Sequence, residues 1–139
     1  MTDLYSSGIQ SHVRKGTLKL SVSNANAAGN AATLENPEDS VIVVDRVVAE
    51  IQTAAEAASL LLVGVGDNAN DNVENTHVEL LNTNALNVGI AAGPAAGVNA
   101  NCRVNKNGES ANSFILVGVD VPANADSLVA DVLVEYHIP

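Results

Sequence analysis

Leu18, Leu20 and Val22 alternate with Thr17, Lys19 and Ser21, a period of two with one wet face. This predicts a half-buried strand over residues 13–22. The strongest such pattern covers residues 41–53. Val41, Val43, Val47, Ala49 and Ile51 share one parity, interrupted by Asp45, while Ile42, Val44, Arg46, Val48, Glu50 and Gln52 share the other. Val44, Val47, Val48 and Ile51 also fit helical spacing, but the density of β-branched residues favours a strand. Further strands are expected over 59–66, 77–81, 86–90, 114–121 and 127–137, with weaker alternation over 98–104. In the last of the long strands, Leu128, Ala130, Val132, Val134 and Tyr136 face one way. Gly64 and Gly66 leave gaps in one face of the 59–66 strand, which predicts a bulge or a close backbone approach.

The intervals between these runs carry turn chemistry. Residues 24–40 contain Asn, Gly and Pro and predict a long connection, with Pro37 closing it. Residues 67–75 form a dense polar loop. Asn107–Gly108, within N-K-N-G-E-S, is the dipeptide preferred where a tight hairpin needs positive φ. Seven or eight short strands with such turns predict an all-β fold, an antiparallel β-sandwich that is jelly-roll-like. Residues 1–12 are polar and predict an N-terminal arm, leaving 13–139 as one sandwich domain.

Composition changes this picture in one respect. Of the 139 residues, 47% are hydrophobic, yet Phe114 is the only phenylalanine, Tyr5 and Tyr136 are the only tyrosines, and tryptophan is absent. A core of small aliphatics is thin, or is completed by a neighbour, so a homo-oligomer is expected. The formal charge of −10 excludes partners that need a positive surface: nucleic acid and anionic membranes. It also fits solubility in high salt, where repulsion is screened, or more simply a charge that keeps a valine-rich protein from associating. The start M-T-D-L-Y-S-S-G lacks the basic and apolar regions of a signal peptide, which predicts synthesis in the cytoplasm.

Candidate chemistry is sparse. Cys102 is the single cysteine, and His12, His77 and His137 have no metal-pair spacing. No phosphate loop, dinucleotide fingerprint or nucleophile elbow is present. Asp45 interrupts an apolar face and is expected to mark the end of coverage or to pair with Arg46 or with a base of another strand. Residues 67–79 carry many oxygen-bearing side chains, but the calcium-loop pattern fails, because Asn68 would be the first ligand and Val73 takes the glycine position. Asp67, Asp71 and Glu74 are the acids of a looser alternative site. A solvated acidic loop is the favoured reading, so no metal, no cofactor and no catalytic set are expected.

Residues 41–139 have a further property. The valine-rich run leads through T-A-A-E-A-A into L-L-L-V-G-V-G-D, and F-I-L-V-G-V-D-V-P-A precedes the closing S-L-V-A-D-V-L-V-E-Y-H-I-P. This resembles the small proteins encoded beside the major capsid protein of tailed double-stranded DNA viruses, which decorate or cement the head. The family's D-V-G-like strand corresponds to Leu61, Leu62, Val63, Gly64, Val65 and Gly66, with leucine where an acid is common. Its closing V-x-V-E-Y unit corresponds to Val132, Val134, Glu135 and Tyr136. The resemblance implies a non-catalytic virion protein on the outer capsid surface, with the major capsid protein as partner and a trimer as the favoured oligomer. The acidity implies a halophilic host. Tyr5, Ile9, His12, Arg14, Lys15, Tyr136 and His137 are the expected capsid or subunit contacts, since Arg14 and Lys15 form a positive pair on an acidic chain. The alternative is a tail, spike or surface module binding a host glycan or protein, although glycan platforms usually need exposed aromatics.

Overall fold

The computed structural model describes residues 14–23, 30–71, 78–85, 89–93 and 103–139. Nine strands lie among them: β1 (Arg14–Ser23), β2 (Asn30–Glu35), β3 (Ile42–Thr53), β4 (Leu60–Gly66), β5 (Val78–Asn84), β6 (Gly89–Gly93), β7 (Arg103–Val104), β8 (Phe114–Val119) and β9 (Val129–Ile138). A 3₁₀ turn, Pro122–Asn124, precedes β9. One sheet runs β1-β9-β3-β6, with β7 beside the start of β3; the other runs β2-β8-β4-β5. Every pairing is antiparallel. Leaving aside the two-residue β7, first pairs with last, second with second-to-last, and so inward, which is the winding of a jelly roll. The expected antiparallel, jelly-roll-like sandwich is the fold observed.

The core lies between the two sheets. Ile42, Val44, Val47, Ala49 and Ile51 of β3, with Ala130, Val132 and Val134 of β9, face Leu61, Val63 and Val65 of β4 and Ile115, Val117 and Val119 of β8. Burying each valine, leucine or isoleucine among them contributes roughly 1.5–3 kcal/mol. Strand β9 alternates as its sequence predicts, with Ala130, Val132, Val134 and Tyr136 inward.

Strand β3 departs from the predicted faces. Glu135 opposes Arg46 and Tyr136 opposes Val44, so Asp45 is the extra residue of a bulge. A bulge shifts parity by one. Ile42 and Val44 therefore point inward before it, and Val47, Ala49 and Ile51 after it. Val43, assigned by strict alternation to the face of Val47, belongs to the other.

Residues 24–40 hold a strand as well as a connection. Asn30–Glu35 pairs with β8 at the sheet edge, where partner hydrogen bonds compensate for a weak local pattern. The strands expected at 77–81 and 86–90 are 78–84 and 89–93, in different sheets. Strand 98–104 is described only as Arg103–Val104; Cys102 and His77 lie outside the described residues.

Asn107–Gly108 does turn the chain, with the Glu109 amide donating to the Lys106 carbonyl at 3.1 Å. Within this turn only Gly108 has positive φ (90°), as in a type II turn. It is not a hairpin turn, because β7 lies in one sheet and β8 in the other. At Gly64 the expected bulge falls in the partner strand, and at Gly66 the close approach is by a side chain rather than by backbone. Leu80 bulges opposite the Val63–Gly64 step, and a Cβ on Gly66 would collide with Leu116 Cδ1.

Candidate functional site

The alternating register of β9 places Tyr136 inward and His137 outward at the end of the first sheet, beside the start of β1. Tyr136 opposes Gly16, His137 opposes Lys15, and Ile138 opposes Arg14. Four residues nominated from the sequence, Arg14, Lys15, Tyr136 and His137, are thus brought together. Tyr5, Ile9 and His12 lie outside the described residues. Lys15, Gly16, Thr17, Asp45, Glu135, Tyr136 and His137 line an open concavity of about 580 Å³.

The Asp45 bulge shapes this concavity. By adding a residue to β3, it turns Asp45 out toward His137, whose Nδ1 lies 2.7 Å from Asp45 Oδ1. A carboxylate only accepts, so the imidazole presents its Nδ1–H here. The base expected for Asp45 is therefore His137. Arg46 reaches Glu135 at 4.0 Å, an exposed and weak pair. Lys15 has no carboxylate partner among the described residues and carries the unpaired positive charge of the groove.

Tyr136 is buried, and its ring rests on Gly16; a Cβ there would overlap Tyr136 Oη. Its hydroxyl donates to Glu38 Oε2 at 2.6 Å, and Arg14 reaches Glu38 Oε1 at 3.1 Å. The bond to the Glu38 carboxylate, then burial and the Glu38 charge, hold the phenol above its ordinary range, with Arg14 opposing. Tyr136 is thus a positioning residue, fixing the β2–β3 loop against the start of β1.

Sequence reasoning missed Glu38 and Asn36. Asn36 is fully buried, and its amide donates to the carbonyls of Ser40 (3.0 Å), Val104 (3.3 Å) and Asn105 (3.0 Å). Its own Oδ1 accepts from the Glu38 amide at 2.8 Å, which sets the loop that presents Glu38. The available signal was E-N-P-E-D, since asparagine orders turns through its own backbone.

The acidic loop turns inward on itself. Asp71 Oδ2 accepts the Asp67 amide at 2.6 Å and the Asn68 amide at 3.2 Å, and Asp67 Oδ1 accepts the Asn112 amide at 2.9 Å. Asn30 Nδ2 donates to the carbonyls of Ala69 and Asp71. These carboxylates cap backbone amides, which ties Asp67, Asn68 and Asp71 to one another and to Asn112. Glu74, the third acid of the looser site, lies outside the described residues. Among the described residues, no group of three or more His, Cys, Asp or Glu is arranged to hold a metal.

Among the described residues that line the groove, no hydroxyl or thiol is hydrogen-bonded to His137. A His–Asp pair needs a hydroxyl or thiol within hydrogen-bond reach. Thr17 lines the same concavity without a hydrogen bond to His137. No helix among the described residues is long and apolar enough to cross a membrane.

The chain matches no protein-family model and no curated protein. Among solved structures, it is similar to a chain in the acidic stable capsid structure of Helicobacter pylori bacteriophage KHP30. That likeness has 15% identity and a TM-score of 0.49, and spans 91% of this chain and 94% of the other.

Proposed function

We propose that this chain is a non-catalytic virion structural protein that binds the outside of an icosahedral capsid and stabilises or decorates it. The observation that carries the reading is the meeting of Lys15 and His137 in one groove at the end of a jelly roll, with Arg14 at the next register position. That groove offers both signs of charge and has no metal cluster or activated nucleophile among its described residues. It suits a polar partner surface, with Lys15 free to meet a carboxylate of the major capsid protein. The N-terminal arm, residues 1–12, is nominated as a further contact on its sequence alone. A trimer is the favoured oligomer, since a closed ring at a three-fold position multiplies weak contacts. With a charge of −10, screening by high salt favours such association, as expected for the virion of a halophilic host.

The test is binding of the purified chain to shells assembled from the major capsid protein of the same genome, by cosedimentation. The expected result is saturable binding that weakens at least tenfold in Lys15→Glu, each tenfold being about 1.4 kcal/mol. Binding that is unchanged in Lys15→Glu and in His137→Ala rejects the groove. An absence of binding across low and multimolar salt rejects the capsid role.

A further inference from the structure

The Asn107–Gly108 turn has a chemistry that its structural role does not use. Both residues are exposed, and a Cβ built on Gly108 meets nothing within 4 Å, so no neighbouring group crowds the turn on that side. Other asparagines have occupied amides. Asn36 Nδ2 donates to three carbonyls, Asn105 Nδ2 donates to the Ala111 carbonyl at 2.7 Å, and Asn124 Nδ2 donates to the Ala58 carbonyl at 2.7 Å. Asn68 donates to Asp71 and accepts the Asn70 amide. The Asn107 side chain has no hydrogen bond among the described residues. Its successor is glycine, whose missing side chain removes the hindrance to ring closure, and no other asparagine in the chain precedes glycine. The Gly108 N–H, whose proton must leave, already donates to Glu35 Oε2 at 3.1 Å.

We propose that Asn107 is a site of spontaneous deamidation, with Glu35 as the base that takes the Gly108 amide proton. Gly108 N bonds to Asn107 Cγ, the Cγ–Nδ2 bond breaks, and Nδ2 leaves as ammonia with the proton relayed by Glu35. Water then opens the succinimide at either carbonyl, giving aspartate or isoaspartate, with one water consumed for each ammonia released. Either product adds a negative charge near Glu35 and Glu38. The isoaspartate also lengthens the backbone by one carbon, which disturbs the 3.2 Å bond from the Asn107 amide to the Glu38 carbonyl. The modification therefore ages the loop that carries Glu38.

The test is incubation of the folded full chain at neutral pH in heavy-oxygen water, followed by peptide mass spectrometry. The expected result is label incorporated at Asn107 well before Asn68, Asn105 or Asn112. Equal rates at these positions overturn the proposal. Glu35→Gln separates two roles, because loosening the turn predicts faster conversion and loss of the base predicts slower conversion. The expected change is a slowing of roughly tenfold, below the hundredfold or more of a well-matched base, since carboxylate is a weak base for an amide. An unchanged or faster rate rejects Glu35 as the base. Circular dichroism of the variant confirms that the comparison is between folded chains.

Discussion

Tyr136 shows how one side chain links the fold to the site. Its ring covers Gly16, and its hydroxyl fixes Glu38, which in turn holds Arg14. Tyr136→Phe is expected to cost about 1 kcal/mol, because Glu38 keeps Arg14. Gly16→Ala is expected to cost more, about 1–3 kcal/mol, since the ring must move off the sheet. Denaturant unfolding of both variants checks this order. The raised Tyr136 value sets a sign. The folded phenol holds its proton more tightly than the unfolded one, so its contribution is fully present below about pH 10 and is lost as pH rises through the folded value. Unfolding midpoints on raising the pH past this point should fall for the native chain more than for Tyr136→Phe. Asp131 gives the opposite sign. Its bond from Ser21 holds the carboxyl below the usual range, with Lys19 and Gln52 adding and burial opposing. Its contribution is present above about pH 3.9 and fades as pH falls through the folded value. Acid unfolding of Asp131→Asn should show a shallower pH slope. Asn36→Ala strips three carbonyls of a buried donor and is expected to cost about 1–3 kcal/mol by the same unfolding measurement.

At the scale of the element, the legible strands were those with unbroken alternation. β9 could be read face by face because no bulge interrupts its inward residues from Ala130 to Val134, whereas β3 could be located but not oriented before Asp45. A bulge consumes one residue without altering composition, so periodicity alone cannot tell an interrupted face from a shifted one. Asp45 itself was the visible trace, and its partner, distant in sequence, was not. This assignment has a direct consequence. Val44→Asp is expected to destabilise severely, by more than about 3 kcal/mol, because it buries a charge among core residues. Val43→Asp, on the half-buried outer face, is expected to be much milder. Unfolding free energies for the pair decide between shifted and strict alternation; equal costs would contradict the bulge. β2 escaped notice for another reason. Its six residues, N-A-A-T-L-E, are held by β8 rather than by their own pattern. The turn at Asn107–Gly108 was found from its dipeptide, but whether it joins strands of one sheet depends on partners far along the chain.

For the whole molecule, composition and turn spacing carried the architecture, and the nested pairing of first strand with last made it a jelly roll. The site was half legible. Arg14, Lys15, Tyr136 and His137 were nominated, and the antiparallel register of β1 and β9 brought them together. Asp45, Glu38 and Asn36 complete that region through contacts that only folding creates. The aromatic-poor, aliphatic composition and the charge of −10 bear on the assembly rather than the fold. Light scattering after size exclusion, at low and multimolar salt, is expected to show a trimer favoured by salt; a monomer in both would move the reading to monomeric decoration. The most direct test of the central claim is electron cryomicroscopy of assembled capsid shells incubated with the purified chain. Sandwich-shaped density is expected on the outer surface at symmetry positions, with the Lys15–His137 end against the shell. Bare shells, or density that presents this groove to solvent, would contradict that claim.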